Sequence, residues 1–83
     1  MSPVFHRENG YVFKVFSNEE DRKHIHVMKA ECEAKFWLEP EVEMEKNEGF
    51  DSKELKFIRN ILIERGDELR EKYSLHIGKR IND

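Results

Sequence analysis

Hydrophobic and polar residues alternate with a period of two over the first half of the chain, and the period becomes helical after Gly49. A period of two is typical of a β-strand with one buried face, and a repeat of three or four is typical of an amphipathic helix. The change of period predicts a sheet over residues 3–46 and a helix over residues 51–77. We expect both to belong to a single domain over residues 1–83.

The first two strands are predicted on either side of Asn9-Gly10, which separates "PVFHRE" from "YVFKVFS". Asn-Gly readily adopts the two positive φ angles of a type I′ hairpin turn. A two-residue turn at this point pairs Glu8 with Tyr11, His6 with Phe13 and Val4 with Val15. The second strand is apolar on both sides and is therefore predicted to be central, which leaves open whether Phe13 or Phe16 faces away from the core.

Two further strands are predicted at His24 to Lys29 and at Glu33 to Leu38. Their apolar residues alternate with polar ones and should share one face of the sheet. The hairpin between them brings His26 opposite either Trp37 or Lys35, depending on the length of its turn. After Pro40, two apolar residues alternate with glutamates and predict a short fifth strand at an edge of the sheet.

The segment "GFDSKELKF" carries the signals of a helix start. Asp51 is expected to cap the helix, Glu54 to complete a capping box, and Phe50 to pack on Leu55. The apolar stripe of this helix comprises Leu55, Ile58, Leu62, Leu69, Tyr73 and His76. The stripe keeps its phase across Gly66, and a glycine costs only about 1 kcal/mol inside a helix. The sequence leaves one helix or two across Gly66 open, and we favour one long C-terminal helix with a soft point, or kink, at Gly66.

The predicted fold class is α+β, with a four- to five-stranded antiparallel sheet and one long C-terminal helix packed on one face. The helix should cover the face that holds Ile25, Val27 and Phe36. Because one helix covers one face only, the opposite face is expected to be open. The candidate residues on that open face are His24, His26, Met28, Lys35 and Trp37. An exposed patch of apolar and aromatic side chains usually marks a binding surface.

Composition limits the classes of function. With 83 residues, the chain buries too little surface to enclose a large cofactor. No apolar run reaches the roughly 18 residues of a membrane span, and the N-terminus lacks the pattern of a signal peptide, so we expect a cytoplasmic protein. The single cysteine, Cys32, agrees with a reducing compartment. Residues 36–48 carry five glutamates against Lys46, so nucleic acid would be repelled from that strip.

The most unusual motif is the pair of histidines in "RKHIHVMKA". One interpretation makes His24 and His26 the acid and base of a metal-independent ribonuclease, with Lys35 offsetting charge on the phosphorane. Trp37 would then stack a base. In-line cleavage places acid and base on opposite sides of the phosphate, however, and neighbours on one strand do not readily provide this geometry.

A second interpretation makes the histidines metal ligands. Alternate residues of one strand lie about 7 Å apart, which suits two imidazoles on one ion, but zinc requires a third protein ligand. The spacing of the sequence identifies none, so we predict no metal and no cofactor. In the third interpretation, His24 and His26 are half-exposed residues that pack against Trp37 and Met28 in a protein-binding surface.

Two longer stretches, "GYVFKVFSNEEDRKHIHV" and "EAKFWLEPEVEMEKNEGFDSKELKFI", closely resemble the bacterial family known as domain of unknown function 4160. The resemblance covers roughly residues 3 to 77 and rests on a glycine-aromatic strand, the His-x-His strand, Glu-Ala-x-Phe-Trp-Leu and Gly-Phe before the last helix. The family often has a Gly-rich turn where this chain has Ala30-Glu31-Cys32. The resemblance implies a place in a two-gene module similar to toxin–antitoxin pairs, which is an analogy and fixes no chemistry.

These observations favour a small interaction module that binds a cognate small protein, or a second copy of itself, through the open sheet face. The residues expected to make this contact are His24, His26, Met28, Lys35 and Trp37. The alternative from another class is a small ribonuclease that uses His24, His26 and Lys35, in which case nucleic acid would be the partner. A metal-binding domain is the second alternative.

Overall fold

The computed structural model describes residues 4–15 and 22–82, with side chains described up to residue 75. Within these residues the chain forms an α+β fold of five strands and two helices. The elements are β1 (Val4–Glu8), β2 (Tyr11–Lys14), β3 (His24–Lys29), β4 (Cys32–Trp37), β5 (Glu43–Glu48), α1 (Ser52–Glu64) and α2 (Gly66–Asn82). The strands form one antiparallel sheet in sequence order, so β1 and β5 are its edges.

The turn between β1 and β2 has the predicted conformation, with φ of 50° at Asn9 and 85° at Gly10. Glycine has no Cβ to oppose a positive φ, and asparagine tolerates one better than most residues. The predicted pairs Glu8 with Tyr11 and His6 with Phe13 are confirmed, whereas Val4 lies opposite Lys14 and the prediction of Val15 is wrong. A register shift between Val4 and His6 accounts for the difference.

The turn between β3 and β4 consists of Ala30 and Glu31, with a φ of 53° at Ala30. This two-residue turn pairs His26 with Lys35 and His24 with Trp37, and so decides between the two registers that the sequence left open. The predicted fifth strand is confirmed at the edge of the sheet, paired with β4.

The core lies between α1 and one face of the sheet, which we call the core face. Its buried residues on the strands or directly after them are Phe5, Tyr11, Phe13, Val15, Ile25, Val27, Ala34, Phe36 and Leu38. From the helices, Ile58, Ile61, Leu62, Leu69 and Tyr73 join the same cluster. Phe13 therefore belongs to the core face, and Phe16 lies outside the described residues. The side chain of His76, which was also expected in the core, lies outside them too.

Asp51 caps α1 as predicted. Its carboxylate accepts the N–H of Glu54 at 2.9 Å, and the Glu54 carboxylate accepts the N–H of Asp51 at 3.2 Å. These two bonds satisfy donors that have no partner within the helix. Phe50 before the cap is buried in the core, and Leu55 packs against the same cluster. The cap therefore fixes where the chain leaves the sheet and begins to cover the core face.

The expected single long helix is wrong, because the chain forms two helices that meet at Arg65, where φ is −104° and ψ is 16°. Gly66 follows without a side chain, and the guanidinium of Arg70 lies 3.0 Å from where its Cβ would be. Arg70 donates to the Leu38 carbonyl at 3.0 Å, and Lys72 donates to the Phe5 carbonyl at 2.8 Å. These two bonds join α2 to residues in and next to β1 and β4. Neither helix is long and apolar enough to cross a membrane, within the described residues.

Tyr11 links the first hairpin to the helix cap, and its removal gives a testable prediction. Its buried hydroxyl donates to Glu54 at 3.2 Å, and burial, followed by this bond to a carboxylate, raises the pKa of Tyr11. Tyr11→Phe should lower the free energy of unfolding at neutral pH by about 1 kcal/mol, because it removes one hydrogen bond and keeps the ring.

A pH series separates the contribution of the buried hydroxyl from that of ring packing. A pKa raised by folding contributes stability that is present below the unfolded value of about 10 and is lost as pH rises through the folded pKa. The stability difference between the parent protein and Tyr11→Phe should therefore shrink in urea unfolding above pH 10. A constant difference at all pH values would contradict this assignment.

Candidate functional site

The side of the sheet opposite the core face, called here the outer face, holds the residues that alternate with the core residues. Paired residues of antiparallel strands project to the same side, so the register defines the members of this face. From β2 to β5 they are Val12, Lys14, His24, His26, Met28, Glu33, Lys35, Trp37, Glu43, Lys46 and Glu48. All five predicted contact residues belong to this face.

His24 is fully buried, with 0% of its surface exposed, so the expectation of a half-exposed side chain is wrong for it. Its ring centroid lies 5.4 Å from that of Tyr73, 5.4 Å from that of His26 and 5.8 Å from that of Trp37. Its Nδ1 lies 2.8 Å from the carbonyl oxygen of Arg22, to which the Nδ1–H tautomer donates. His24 therefore joins α2 to the outer face as a packing residue.

His26 is also buried, with 8% of its surface exposed, so the same expectation is wrong for it. Its ring is nearly perpendicular to that of His24, at an angle of 86°. Its Nδ1 lies 3.6 Å from the carboxylate of Glu33. The lysines of the two adjacent strands, Lys14 and Lys35, lie directly opposite His26 on either side.

Trp37 is half-buried and has two cations over its ring. The guanidinium carbon of Arg22 lies 4.1 Å from the ring centroid, and the ammonium of Lys35 lies 4.6 Å from it. Both distances are within the range of cation–π attraction, which holds the indole and the cations in fixed relative positions. His24 supports the ring from its edge, at an interplanar angle of 81°. The Trp37 ring is therefore partly exposed and is held in place by contacts with three side chains.

The structure brings four of the five candidate residues into one cluster, formed by His24, His26, Lys35 and Trp37. Met28 is half-buried on the same face and lies opposite Val12 and Glu33. Sequence reasoning missed two members of the cluster, Arg22 and Tyr73. Tyr73 was assigned to the core by its helical spacing, and Arg22 lies before β3, where no periodic pattern indicates which way a side chain points.

The geometry bears on both chemical interpretations of the histidines. His24 has no exposed surface through which an RNA phosphate could reach its ring. Both histidines lie on β3 with their rings in contact, which does not place an acid and a base on opposite sides of a substrate. Within the part of the chain that the structure describes, no group of three or more His, Cys, Asp or Glu side chains is placed to hold a metal ion.

Comparison with known proteins gives one match. The family described as "Domain of unknown function (DUF4160)" matches residues 10–74, a stretch that includes β2 to β5, α1 and the first half of α2. No curated protein and no solved structure matches the chain significantly.

Proposed function

The chain belongs to the family Domain of unknown function (DUF4160), and from the geometry of its outer face we propose that it is a small interaction module that binds a cognate protein partner. The observation that carries the proposal is Trp37, a partly exposed ring held between Arg22, Lys35 and His24. Tryptophan and arginine are enriched among the residues that contribute most to protein–protein binding. A ring that is already fixed loses little conformational entropy when a partner covers it.

The contact surface in this proposal consists of Met28, Lys35 and Trp37, supported from below by the buried rings of His24 and His26. The histidines act by packing: His24 bonds to the chain at Arg22 and lies against the Trp37 ring. Alternate residues of one strand lie on one face, so both imidazoles can pack on the same side of the sheet. A packing role therefore accounts for the His-x-His motif, and no catalytic role is needed.

The biological setting of the proposal is a cytoplasmic bacterial protein whose partner is the other member of a toxin–antitoxin-like pair. The support for this setting is an analogy: proteins of the family are bacterial, and many look like halves of two-gene modules. The alternative partner is a second copy of the chain. Mass measurement of the purified protein distinguishes the two, since self-association gives a dimer without any other protein.

The experiment that tests the proposal is co-purification of the tagged protein from its native host, with identification of both protein and RNA. The tagged parent protein, Trp37→Ala and Ile63→Ala are compared. Ile63 is an apolar control on α1 with 60% of its surface exposed. A stoichiometric protein that is retained by the parent and by Ile63→Ala, and lost from Trp37→Ala, would support the proposal. Equal retention by all three would refute it.

The ribonuclease alternative leads to a separate prediction. We expect RNA to stay intact with the purified protein, because His24 is fully buried and shares a strand and a face with His26. Catalytic histidines would instead each contribute roughly 10²-fold or more to cleavage. The measurement is RNA cleavage in the presence of chelator, with His26→Ala as the control. Cleavage that His26→Ala abolishes would replace the binding proposal with the ribonuclease.

A further inference from the structure

The sheet ends at β5, whose outer side has no neighbouring strand among the described residues. The free side of an edge strand carries backbone N–H and C=O groups that can pair with a further extended chain. At the opposite edge of the sheet, a carbonyl of β1 is already bonded to α2, because Lys72 donates to Phe5 at 2.8 Å. Five of the six residues of β5 are exposed. We call the free side of this strand the β5 edge.

The side chains that β5 projects to the outer face are mostly acidic. Glu43, Lys46 and Glu48 are paired with outer-face residues of β4. Glu45 lies in the register shift between them, with its carboxylate 3.9 Å from Lys35. Three carboxylates therefore accompany a single ammonium group along this side of β5.

The carboxylates at the two ends of the strand can accept a further cation. Glu43 is exposed and takes part in no ion pair among the described residues. Glu48 lies 3.5 Å from Lys46, but the two side chains have 61% and 56% of their surface exposed. An exposed pair of this kind is weak, because water screens it and two long side chains must be ordered. Each carboxylate also has several acceptor positions, so Glu48 can bind a second cation without losing Lys46.

The other side of the same strand offers an apolar contact. Met44 lies opposite Phe36, so its side chain projects to the core face, and 45% of its surface is exposed. Val42, directly before β5, is partly buried against the core cluster. The apolar layer of the core face therefore continues to the β5 edge, where a further strand would cover Met44.

The charges decide between the possible occupants of the β5 edge. A second copy of β5 would bring another strand in which glutamates outnumber lysine by three to one, and like charges opposite each other destabilise a strand pair. Charged edge strands commonly prevent such self-pairing. Nucleic acid is repelled by the same carboxylates. A basic protein segment is attracted by them, so the charges that exclude a second copy select for this partner.

We infer that the β5 edge is a binding site for an extended basic segment of a partner protein, which joins the sheet as an added strand. This inference goes beyond the proposed function, because it uses the edge of the sheet and not the Trp37 ring. It assigns a role to the glutamates of β5 that the outer face does not use.

The register of β4 defines the pattern of the bound segment, since five residues of β4 already cover β5 from its other side. Basic residues at the first and fifth positions lie opposite Glu43 and Glu48 and are about 14 Å apart. The third residue is neutral, because it lies opposite Lys46 and Glu45. The second and fourth residues are apolar and extend the layer that ends at Met44.

The inference is tested by titrating the isotope-labelled protein with capped pentapeptides and recording its amide spectra by nuclear magnetic resonance. The probe contains lysine, valine, threonine, valine and lysine in that order. One control has glutamate for lysine, and the other has proline for valine, which keeps the charges but removes N–H groups that strand pairing requires. We expect the probe alone to shift the amide signals of residues 43–48 and to slow their hydrogen exchange, with an affinity that falls as salt concentration rises.

Two variants separate the β5 edge from the net charge of the protein. Glu43→Lys and Glu64→Lys make the same change of charge at an exposed glutamate, the first in β5 and the second in α1. Glu43→Lys should weaken binding of the probe about fivefold, because it replaces an attraction with a repulsion at the contact. Glu64→Lys should leave the affinity nearly unchanged.

Each other outcome overturns the inference. Equal weakening by the two variants would show that only net charge acts, and equal binding of the proline peptide would show that no strand is added. Equal binding of the glutamate peptide, or no binding of the probe at millimolar concentration, would remove the selection for basic residues. A dimer of the free protein that protects the amides of residues 43–48 would assign the edge to a second copy. The peptide comparison uses the parent protein, so it decides the matter even if Glu43→Lys does not fold, and its failure leaves the test with Trp37→Ala unaffected.

Discussion

Trp37→Ala is expected to weaken association with the partner by about 2 kcal/mol or more, which is roughly 30-fold in the dissociation constant. The substitution removes the exposed ring and also leaves the cations of Arg22 and Lys35 without the surface over which they lie. Both losses act at the end of the outer face where β3 begins and β4 ends. The measurement is a titration of the purified partner, or of the protein against itself if it dimerises, by calorimetry.

The control for this titration is Ile63→Ala, which removes an exposed apolar side chain from α1. We expect it to leave the affinity unchanged. If Trp37→Ala unfolds the protein, the ring is part of the core and the outer face is not a binding surface. A folded Trp37→Ala variant with full affinity would show that the partner binds elsewhere.

Phe36→Ala is expected to lower the free energy of unfolding by about 3–5 kcal/mol, the largest effect on stability that we predict. Phe36 has 2% of its surface exposed and packs in the cluster that joins the sheet to the helices. The substitution removes buried apolar surface and leaves a cavity that the surrounding side chains fill only in part. Urea unfolding followed by circular dichroism measures the change.

Phe36 and Trp37 are adjacent on β4 and project to opposite faces, so they form a natural comparison. Trp37 is half-buried, and its removal should cost less stability than the removal of Phe36 although its side chain is larger. Equal stability losses would mean that the outer face is packed as tightly as the core face. A smaller loss of stability for Phe36→Ala than for Trp37→Ala would mean that the core lies on the outer face and not on the core face.

Several features followed from the sequence because they depend on local interactions. Asn9-Gly10 specifies its turn through backbone conformations that those two residues favour, and Asp51 with Glu54 specifies a helix start through hydrogen bonds three residues apart. The period of two assigned Ile25 and Val27 to one face and the histidines to the other. These interactions lie within a few residues of each other, so they can be read without knowing the rest of the fold.

The tertiary structure alone decided how much of each face is exposed and which distant residues meet there. The break at Arg65 could not be read from an apolar stripe that stays in phase, and neither could the bonds from α2 to Leu38 and Phe5, which lie far away in sequence. Tyr73 reaches His24 across 49 positions of sequence, and this contact helps to make a polar strand residue a buried one. Exposure depends on what packs from elsewhere in the chain, whereas alternation depends only on the geometry of the strand. The sequence therefore determined the side of the sheet on which the histidines lie, and tertiary packing determined that both are buried there.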